Sequence, residues 1–285
     1  MRLTTIGIFL VFISNYFSQE YISVENFMDV RCYSNNNEQV YFQWRGDAYV
    51  QKPAEKEKLV FKVLGMNVAR CFKNPRGYSL VTREIQFYLD PNSSEIIDQW
   101  TNPWTDETLP VMHAANSPVQ IPLSSKMALP LDQLGPSQSV GLYFPLAYKN
   151  PLNDIEFEDY APYEWYQASE MFRFIFSADD SAKVGLVWNR VGQFLPWMKM
   201  RDQKGILKIV AHGQRFENFK DLESKLQQAI RDRAPSYQNA PECVVEQKNA
   251  TSWTEFAKHF DAYLEGATFP IDAEPLNCSE KIGSE

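Results

Sequence analysis

Residues 81–90 alternate between two kinds of side chain, which is the pattern of a β-strand with two unlike faces. One face is mostly apolar and carries Val81, Arg83, Ile85, Phe87 and Leu89. The other is mostly polar and carries Thr82, Glu84, Gln86, Tyr88 and Asp90. The apolar face is predicted to lie on the core. The polar face is either a solvated surface of an antiparallel meander or the polar lining of a barrel or cleft.

Shorter apolar runs on both sides of this segment predict further strands, separated by turn residues at the spacing of β-hairpins. The predicted strands cover residues 29–32, 39–44, 59–66, 68–72, 140–147, 163–176, 185–194 and 205–212. Many short strands at this spacing favour a mainly β fold. We expect an antiparallel, barrel-like sheet that is either lipocalin-like or strongly curved.

The hydrophobic period changes near the C-terminus and predicts two amphipathic helices. The first spans residues 216–233, and the second spans residues 251–264 with Thr251 or Ser252 as its N-cap and Gly266 after its end. We expect these helices to pack on the sheet, over a barrel end or an edge. The predicted domains are a secretory signal at 1–18, a barrel-like domain with a C-terminal helix at 19–241 and a helical extension at 242–285.

The N-terminus has the features of a secretory signal peptide. Arg2 supplies the positive charge, residues 6–13 are apolar, and cleavage is expected near Ser18. The apolar run is short for a membrane span, so we expect no stable membrane insertion. A buried first strand or a signal anchor is the alternative. A secreted or secretory-lumen location also fits three N-glycosylation sequons, at Asn92, Asn249 and Asn277.

The chain has four cysteines, at positions 32, 71, 243 and 278. An even number in an exported protein favours disulfide bonds, and four cysteines allow three pairings. We favour Cys243–Cys278, because both residues lie in the loop-rich C-terminal region, together with Cys32–Cys71. The alternative is buried free thiols.

Charge and composition narrow the range of partners. The formal net charge is −8 and no basic run is present, so nucleic acid is not an expected partner. The chain contains 7 Trp, 14 Tyr and 19 Phe, which is enough to fill a core and also to line a cavity. A small hydrophobic or aromatic molecule is therefore the expected partner.

The candidate site lies mainly in residues 78–120, where polar and aromatic side chains are dense. Buried Trp and Tyr need partners for their polar atoms, which favours a pocket. The candidate catalytic residues are His113, Glu170, Glu84, Tyr88 and Asn116. The candidate substrate-binding residues are Arg83, Trp100, Asn102, Trp104, Tyr166, Trp197, Met198 and Met200.

Glu170 is a charged residue on an otherwise apolar strand face, in line with Phe172 and Phe174. Burial would raise the pKa of its carboxyl, which suits acid–base catalysis. An ion pair with Arg83 would instead make Glu170 structural. The run from Pro196 to Met198 has a similar ambiguity, because it either caps a cavity with an adaptable surface or plugs the core.

Several long motifs resemble one family in the same order along the chain. They read REIQFYLDP, DQWTNPWTDETLPVMHAANSPVQ, LAYKNPL, YQASEMFRF and FLPWMKM. From Phe27 to Pro241 the chain resembles the domain-of-unknown-function 1838 family. The resemblance implies small-molecule chemistry, since some members are encoded near natural-product genes. The chain departs from the family at Asn116-Ser117-Pro118-Val119, where an acidic residue is expected in the second position.

Motifs for the common cofactors and nucleophiles are missing from the sequence. It contains no phosphate loop, dinucleotide fingerprint, Gly-x-Ser-x-Gly elbow or His-Glu-x-x-His, and no cofactor is expected. Only three histidines occur, so no metal is expected either. A mixed site of His113 with Glu84, Asp90 or Glu170 is the alternative.

Two functions follow from these features. The favoured one is a secreted enzyme that acts on a small, partly apolar molecule by metal-free acid–base chemistry, as an isomerase, cyclase, lyase or hydrolase. His113 or Glu170 would move the proton, and Tyr88 or Asn116 would polarise an oxygen. The alternative is a secreted, lipocalin-like protein that binds a hydrophobic ligand without changing it.

Overall fold

The computed structural model describes residues 20–32, 38–161, 163–177 and 183–278. The signal sequence predicted at 1–18 lies outside these residues. The described strands are β1 (Glu20–Ser23), β2 (Val40–Gln51), β3 (Lys58–Asn74), β4 (Gly77–Leu89), β5 (Gln99–Thr101), β6 (Thr108–Pro110), β7 (Ala114–Ser124), β8 (Ala128–Leu134), β9 (Ser137–Lys149), β10 (Trp165–Phe176), β11 (Val184–Gly192) and β12 (Ile206–Phe216). The described α-helices are α1 (Val24–Arg31), α2 (Ser224–Arg233), α3 (Ser252–Lys258) and α4 (Phe260–Leu264).

Ten of these strands form one antiparallel sheet in the order β1-β8-β9-β10-β11-β12-β2-β3-β4-β7. The sheet curls into a half-barrel with β1 and β7 at its edges, which confirms the predicted mainly β fold with a strongly curved sheet. The other two strands, β5 and β6, form a separate two-stranded sheet.

The two faces of the curled sheet support two different cores, and β4 contributes to both. Ile85 and Phe87 point outward and pack with Leu226 and Ile230 of α2. Tyr88, on the opposite face, belongs to the inner core. Alternate residues of 81–89 therefore face two different interior regions, one on each side of the sheet. The prediction that the polar face is a solvated surface is wrong, because this face lines the cavity.

The first predicted strand, at residues 29–32, is wrong because the segment belongs to helix α1. The side chain of Ser23 accepts a hydrogen bond from the backbone N–H of Asn26 at 3.2 Å, which caps the helix. Its buried residues include Val24, Phe27, Met28 and Arg31, at the spacing of one helical face. Four residues are too few to distinguish the 3.6-residue period of a helix from the two-residue period of a strand.

The C-terminal helices pack on the sheet as expected, with altered boundaries. The first begins at Ser224 rather than at residue 216, because Phe216 ends β12. The second predicted helix is divided at His259 into α3 and α4. Thr251 caps α3, and Gly266 has a φ of 76° after α4, both as predicted.

Both predicted cysteine pairings are present. Cys32 at the end of α1 is bonded to Cys71 on β3, with Cα atoms 6.2 Å apart. Cys243 is bonded to Cys278, with Cα atoms 5.8 Å apart. The first disulfide ties a helix to the sheet, and the second closes the C-terminal segment into a loop.

Candidate functional site

A cavity of ≈ 170 Å³ opens on the inner face of the half-barrel. Its lining comes from β2, β3, β4 and β7 and from β9, β10, β11 and β12 of the sheet, with further residues from α1. Most of the lining is apolar and aromatic. The largest lining side chains include Phe42, Trp44, Phe144, Phe172, Phe174 and Trp188.

One polar row crosses the cavity wall formed by β3, β4 and β7. The sheet register pairs Glu84 with Asn67 on one side and with Asn116 on the other. Asn67 donates a hydrogen bond from Nδ2 to Glu84 Oε1 at 3.0 Å, and the Arg31 guanidinium donates to Asn67 Oδ1. Because the strands are antiparallel and in register, all three strand residues project from the same face.

A second polar row crosses the facing wall. The register aligns Phe144, Glu170 and Arg190 on β9, β10 and β11. Arg190 Nε lies 3.6 Å from Glu170 Oε1, and Arg190 Nη2 donates a hydrogen bond to the Tyr166 hydroxyl at 2.8 Å. The partner of Glu170 is thus Arg190 and not Arg83.

The two carboxyls have pKa values displaced by their surroundings. Burial raises the pKa of Glu84 to about 7, and the nearby charge of Glu170 adds to the shift, while Arg31 and the hydrogen bonds from Asn116 and Asn67 oppose it. Burial also raises the pKa of Glu170, and the charge of Arg190 opposes that shift. At neutral pH, Glu84 therefore exists in both its protonated and its ionised form.

Four cavity-lining side chains have a buried polar atom that finds no hydrogen-bond partner in the described part of the chain. They are Arg31 Nη1, Asn116 Oδ1, Trp188 Nε1 and Arg190 Nη1. Arg31 and Arg190 are only 7% and 6% exposed. Burial lowers the pKa of Arg31 to about 10, so this guanidinium remains charged at neutral pH.

His113 is buried in the core and is not among the residues that line the cavity. Its Nδ1 accepts a hydrogen bond from the backbone N–H of Tyr88 at 3.1 Å, and its ring contacts those of Phe87 and Tyr88. Burial lowers the pKa of His113 to about 3, so the imidazole is neutral. Of the five predicted catalytic residues, the cavity brings together Glu84, Glu170, Tyr88 and Asn116.

Most of the predicted substrate-binding residues form a packed cluster beside the cavity. Trp100 and Trp197 each contact Phe61, with ring centroids 5.3 and 5.6 Å apart. Asn102 is fully buried and donates to the Met198 carbonyl at 3.0 Å and to the Met200 sulfur at 3.3 Å. The segment that contains Trp197 and Met198 therefore fills the core.

The remaining three predicted binding residues have structural contacts. Trp104 lies beneath the ammonium groups of two lysines, Lys52 and Lys58, at 5.6 and 5.1 Å from the ring centroid. Tyr166 supports Arg190, as described above. Arg83 lies on the outer face of β4, where it donates to Ser117 Oγ at 3.0 Å and to the carbonyl of Asn239 at 3.1 Å.

Sequence reasoning missed Arg31, Asn67, Trp188 and Arg190 as site residues. Arg190 was within reach, because it falls on the same strand face as Leu186 and Trp188, just as Glu170 falls on the face of Phe172. A charge in line with apolar residues was the useful signal in both strands. Arg31 was hidden by the mistaken strand over residues 29–32.

Residues 37–260 match a family described as a protein of unknown function, DUF1838, and the chain belongs to this family. The matched range contains both polar rows of the cavity. No curated protein matches the chain.

In the described ranges, no helix is long and apolar enough to cross a membrane. Within the same ranges, no three His, Cys, Asp or Glu side chains are grouped closely enough to hold a metal ion.

Proposed function

We propose that the protein is an enzyme that moves a proton on a small, partly apolar molecule bound in the cavity of the half-barrel. The observation that carries the proposal is the pair of half-buried carboxyls, Glu84 and Glu170, that line one aromatic-walled cavity from different strands. A carboxyl that is partly protonated at neutral pH can both give and take a proton.

The surroundings support different roles for the two carboxyls. Burial raises the pKa of Glu170, but the charge of Arg190 opposes that rise, and a negative charge on Glu170 favours the protonated form of Glu84. Glu170 then acts as the base that removes a proton from the substrate, and Glu84 acts as the acid that returns one elsewhere. Isomerisation and elimination both need this combination of groups.

Charge that develops on a substrate oxygen during this transfer needs stabilisation. The guanidinium groups of Arg31 and Arg190 and the indole N–H of Trp188 line the cavity and are already desolvated, so they supply fixed donors in a low-dielectric site. Tyr88 and Asn116 also line the cavity and help to orient the substrate. His113 has no part in this scheme, because it lies behind Tyr88 in the core.

The test uses Glu84→Gln as a trap. The full chain is produced in its own host or a related one and incubated with a metabolite extract of the host. The extract is then analysed by liquid chromatography with mass spectrometry, which separates isomers, and the protein is analysed by native mass spectrometry for retained compound. The wild-type enzyme should deplete one compound and accumulate an isomer or elimination product. The Glu84→Gln variant should retain the unchanged compound, because its amide cannot donate a proton at this position.

The control is Glu246→Gln, which changes an exposed carboxyl outside the cavity lining and should behave as the wild type does. A wild-type protein that retains the same intact compound as Glu84→Gln, with no product in the extract, would contradict the proposal. That result would favour the second candidate, a binding protein, which the predominantly apolar cavity also supports.

A further inference from the structure

We infer that the molecule bound in the cavity is the anion of a small carboxylic acid with an apolar body about the size of one aromatic ring. This inference rests on the proposed function and names the substrate class of the same site. It draws on the balance of hydrogen-bond donors, the balance of charge and the dimensions of the cavity.

The hydrogen-bond balance favours a ligand rich in acceptor atoms. Of the four lining atoms without partners in the described residues, three are donors, on Arg31, Trp188 and Arg190, and one is an acceptor, on Asn116. Leaving a buried guanidinium N–H unpaired is costly, since it loses its hydrogen bonds to water without replacing them. The two oxygens of a carboxylate accept bonds from several donors at once, and a protein guanidinium suits them in shape and charge.

The charge balance also favours an anion. The cavity brings two guanidinium groups, of Arg31 and Arg190, together with two carboxyls, of Glu84 and Glu170. The positive charges persist at neutral pH, whereas Glu84 is protonated in a large fraction of molecules. In that fraction, one positive charge has no negative counterpart among these four groups. A carboxylate supplies the missing charge without requiring either arginine to lose its proton.

The dimensions set the size of the apolar body. A cavity of about 150 Å³ holds benzene in a well-studied protein core, so the ≈ 170 Å³ found here suits a single ring or a short alkyl chain. Phe172 and Trp188 stack with ring centroids 6.2 Å apart and form one flat wall. Phe144 meets Phe172 edge-on at 5.8 Å and forms the adjoining wall. An aromatic ring can pack against both surfaces.

Paired ligands test the inference directly on the wild-type full chain. Benzoate, trans-cinnamate and octanoate are each titrated by calorimetry at pH 6 against benzyl alcohol, cinnamyl alcohol and octanol. At this pH the acids are ionised, and most Glu84 carboxyls are protonated. At least one acid should bind about tenfold or more tightly than its alcohol, as expected for hydrogen bonds to a charged group.

Variants locate the source of this preference. Arg190→Gln and Arg31→Gln should each remove most of the preference for the acid over its matched alcohol. Trp188→Phe keeps a smaller aromatic ring on this wall and removes the indole donor but no charge, so it should weaken acid binding by a smaller factor. It remains informative if an arginine variant fails to fold. The matched control is Arg173→Gln, which removes the same charge from the outer face of β10, where Arg173 pairs with Asp132.

Two results would overturn the inference. One is equal binding of every acid and its alcohol, or no binding of the acids. The other is a preference for acids that survives in Arg31→Gln, Arg190→Gln and Trp188→Phe alike. Neither result decides whether the protein is an enzyme, because turnover is measured separately with the Glu84→Gln trap. Conversely, a clear preference for acids without turnover would leave the ligand class standing and remove the proposed catalysis.

Discussion

The two carboxyls of the cavity differ in the groups that surround them. Glu170 has a guanidinium within 3.6 Å, whereas the hydrogen bonds to Glu84 come from the neutral amides of Asn67 and Asn116. Burial raises the pKa of both carboxyls, but the charge of Arg190 opposes that rise for Glu170, and unlike surroundings of this kind assign acid and base roles in many enzymes. Burial also has a cost for folding, because Glu84 ionises more readily in the unfolded chain than in the folded one.

That cost predicts a pH-dependent effect of Glu84→Gln on stability. The folded-state pKa of Glu84 is about 7, above its ordinary value of 4.5, so the folded protein holds this proton more tightly than the unfolded chain does. In the wild type, ionisation of Glu84 therefore leaves the free energy of unfolding unchanged below pH 4.5. It lowers the free energy of unfolding progressively between pH 4.5 and 7, and the loss is complete above pH 7. The full effect is on the order of 3 kcal/mol at most.

The measurement is urea unfolding of the wild type and Glu84→Gln at pH 4.5, 6 and 8. The difference in free energy of unfolding, variant minus wild type, should increase as the pH rises. Glu246→Gln should follow the wild type at every pH, since its side chain is exposed. Parallel pH profiles for the wild type and Glu84→Gln would show that burial does not raise this pKa.

The direction of a single side chain could be predicted from the sequence where the alternation of its own strand determines it. The parity of residues 82–88 placed Glu84 and Tyr88 on a shared polar face, and both line the cavity. It could not locate His113, because the histidine lies in the link between β6 and β7. The direction of such a side chain depends on tertiary packing, and here it points into a core of aromatic rings.

Helix α2 shows how an element outside the site supports the wall that contains it. Leu226 and Ile230 are fully buried against the outward face of β3 and β4. The opposite face of the same strands carries Asn67 and Glu84, which line the cavity. Packing on one side of the sheet therefore holds the position of the polar row on the other.

Leu226→Ala should lower the stability of the protein by about 2–5 kcal/mol, because it removes buried apolar contacts and leaves a void. The measurement is urea or thermal unfolding. Gln228→Ala changes an exposed position of the same helix and should alter stability by about 0.5 kcal/mol or less. A loss as small for Leu226→Ala as for Gln228→Ala would contradict the packing of α2 on the sheet.

The existence of the C-terminal helices was readable from their apolar spacing, but the start of α2 was not. Phe216 fits the end of strand β12 and also precedes the helical pattern, so local sequence does not choose between the two. The choice is made by pairing with β2, where Phe216 lies opposite Tyr41. Residues far apart in the chain thus set a boundary that local periodicity leaves open.

The whole molecule is a half-barrel whose strand order depends on distant pairings. The strands β12 and β2 are neighbours although they lie at opposite ends of the sheet-forming chain, and β1 pairs with β8. Alternation and turn spacing predicted a curved antiparallel sheet, because those features belong to single strands and hairpins. They contain no information on whether the two edge strands of the sheet pair with each other, so the sequence could not distinguish a closed barrel from an open one.

The two disulfides should have different effects on the cavity. Replacing Cys32 and Cys71 by Ser should reduce both stability and the affinity for benzoate, because Cys32 directly follows the lining residue Arg31. Replacing Cys243 and Cys278 by Ser should reduce stability by about 2–4 kcal/mol, as is typical for loss of a disulfide, with a smaller effect on affinity. Thermal unfolding and calorimetry give the two quantities. Equal losses of affinity in the two double variants would contradict this distinction.

The bond between Cys32 and Cys71 also bears on when the protein matures. Before its thiols are oxidised, a newly made chain holds α1 to the sheet by non-covalent contacts alone, among them the packing of Phe27 and Met28 and the hydrogen bond from Arg31 to Asn67. Arg31 then has no covalent restraint beside it. If the cavity binds an anion as inferred above, the chain is expected to gain its full affinity only once this disulfide has formed, so that binding competence would follow oxidation rather than synthesis.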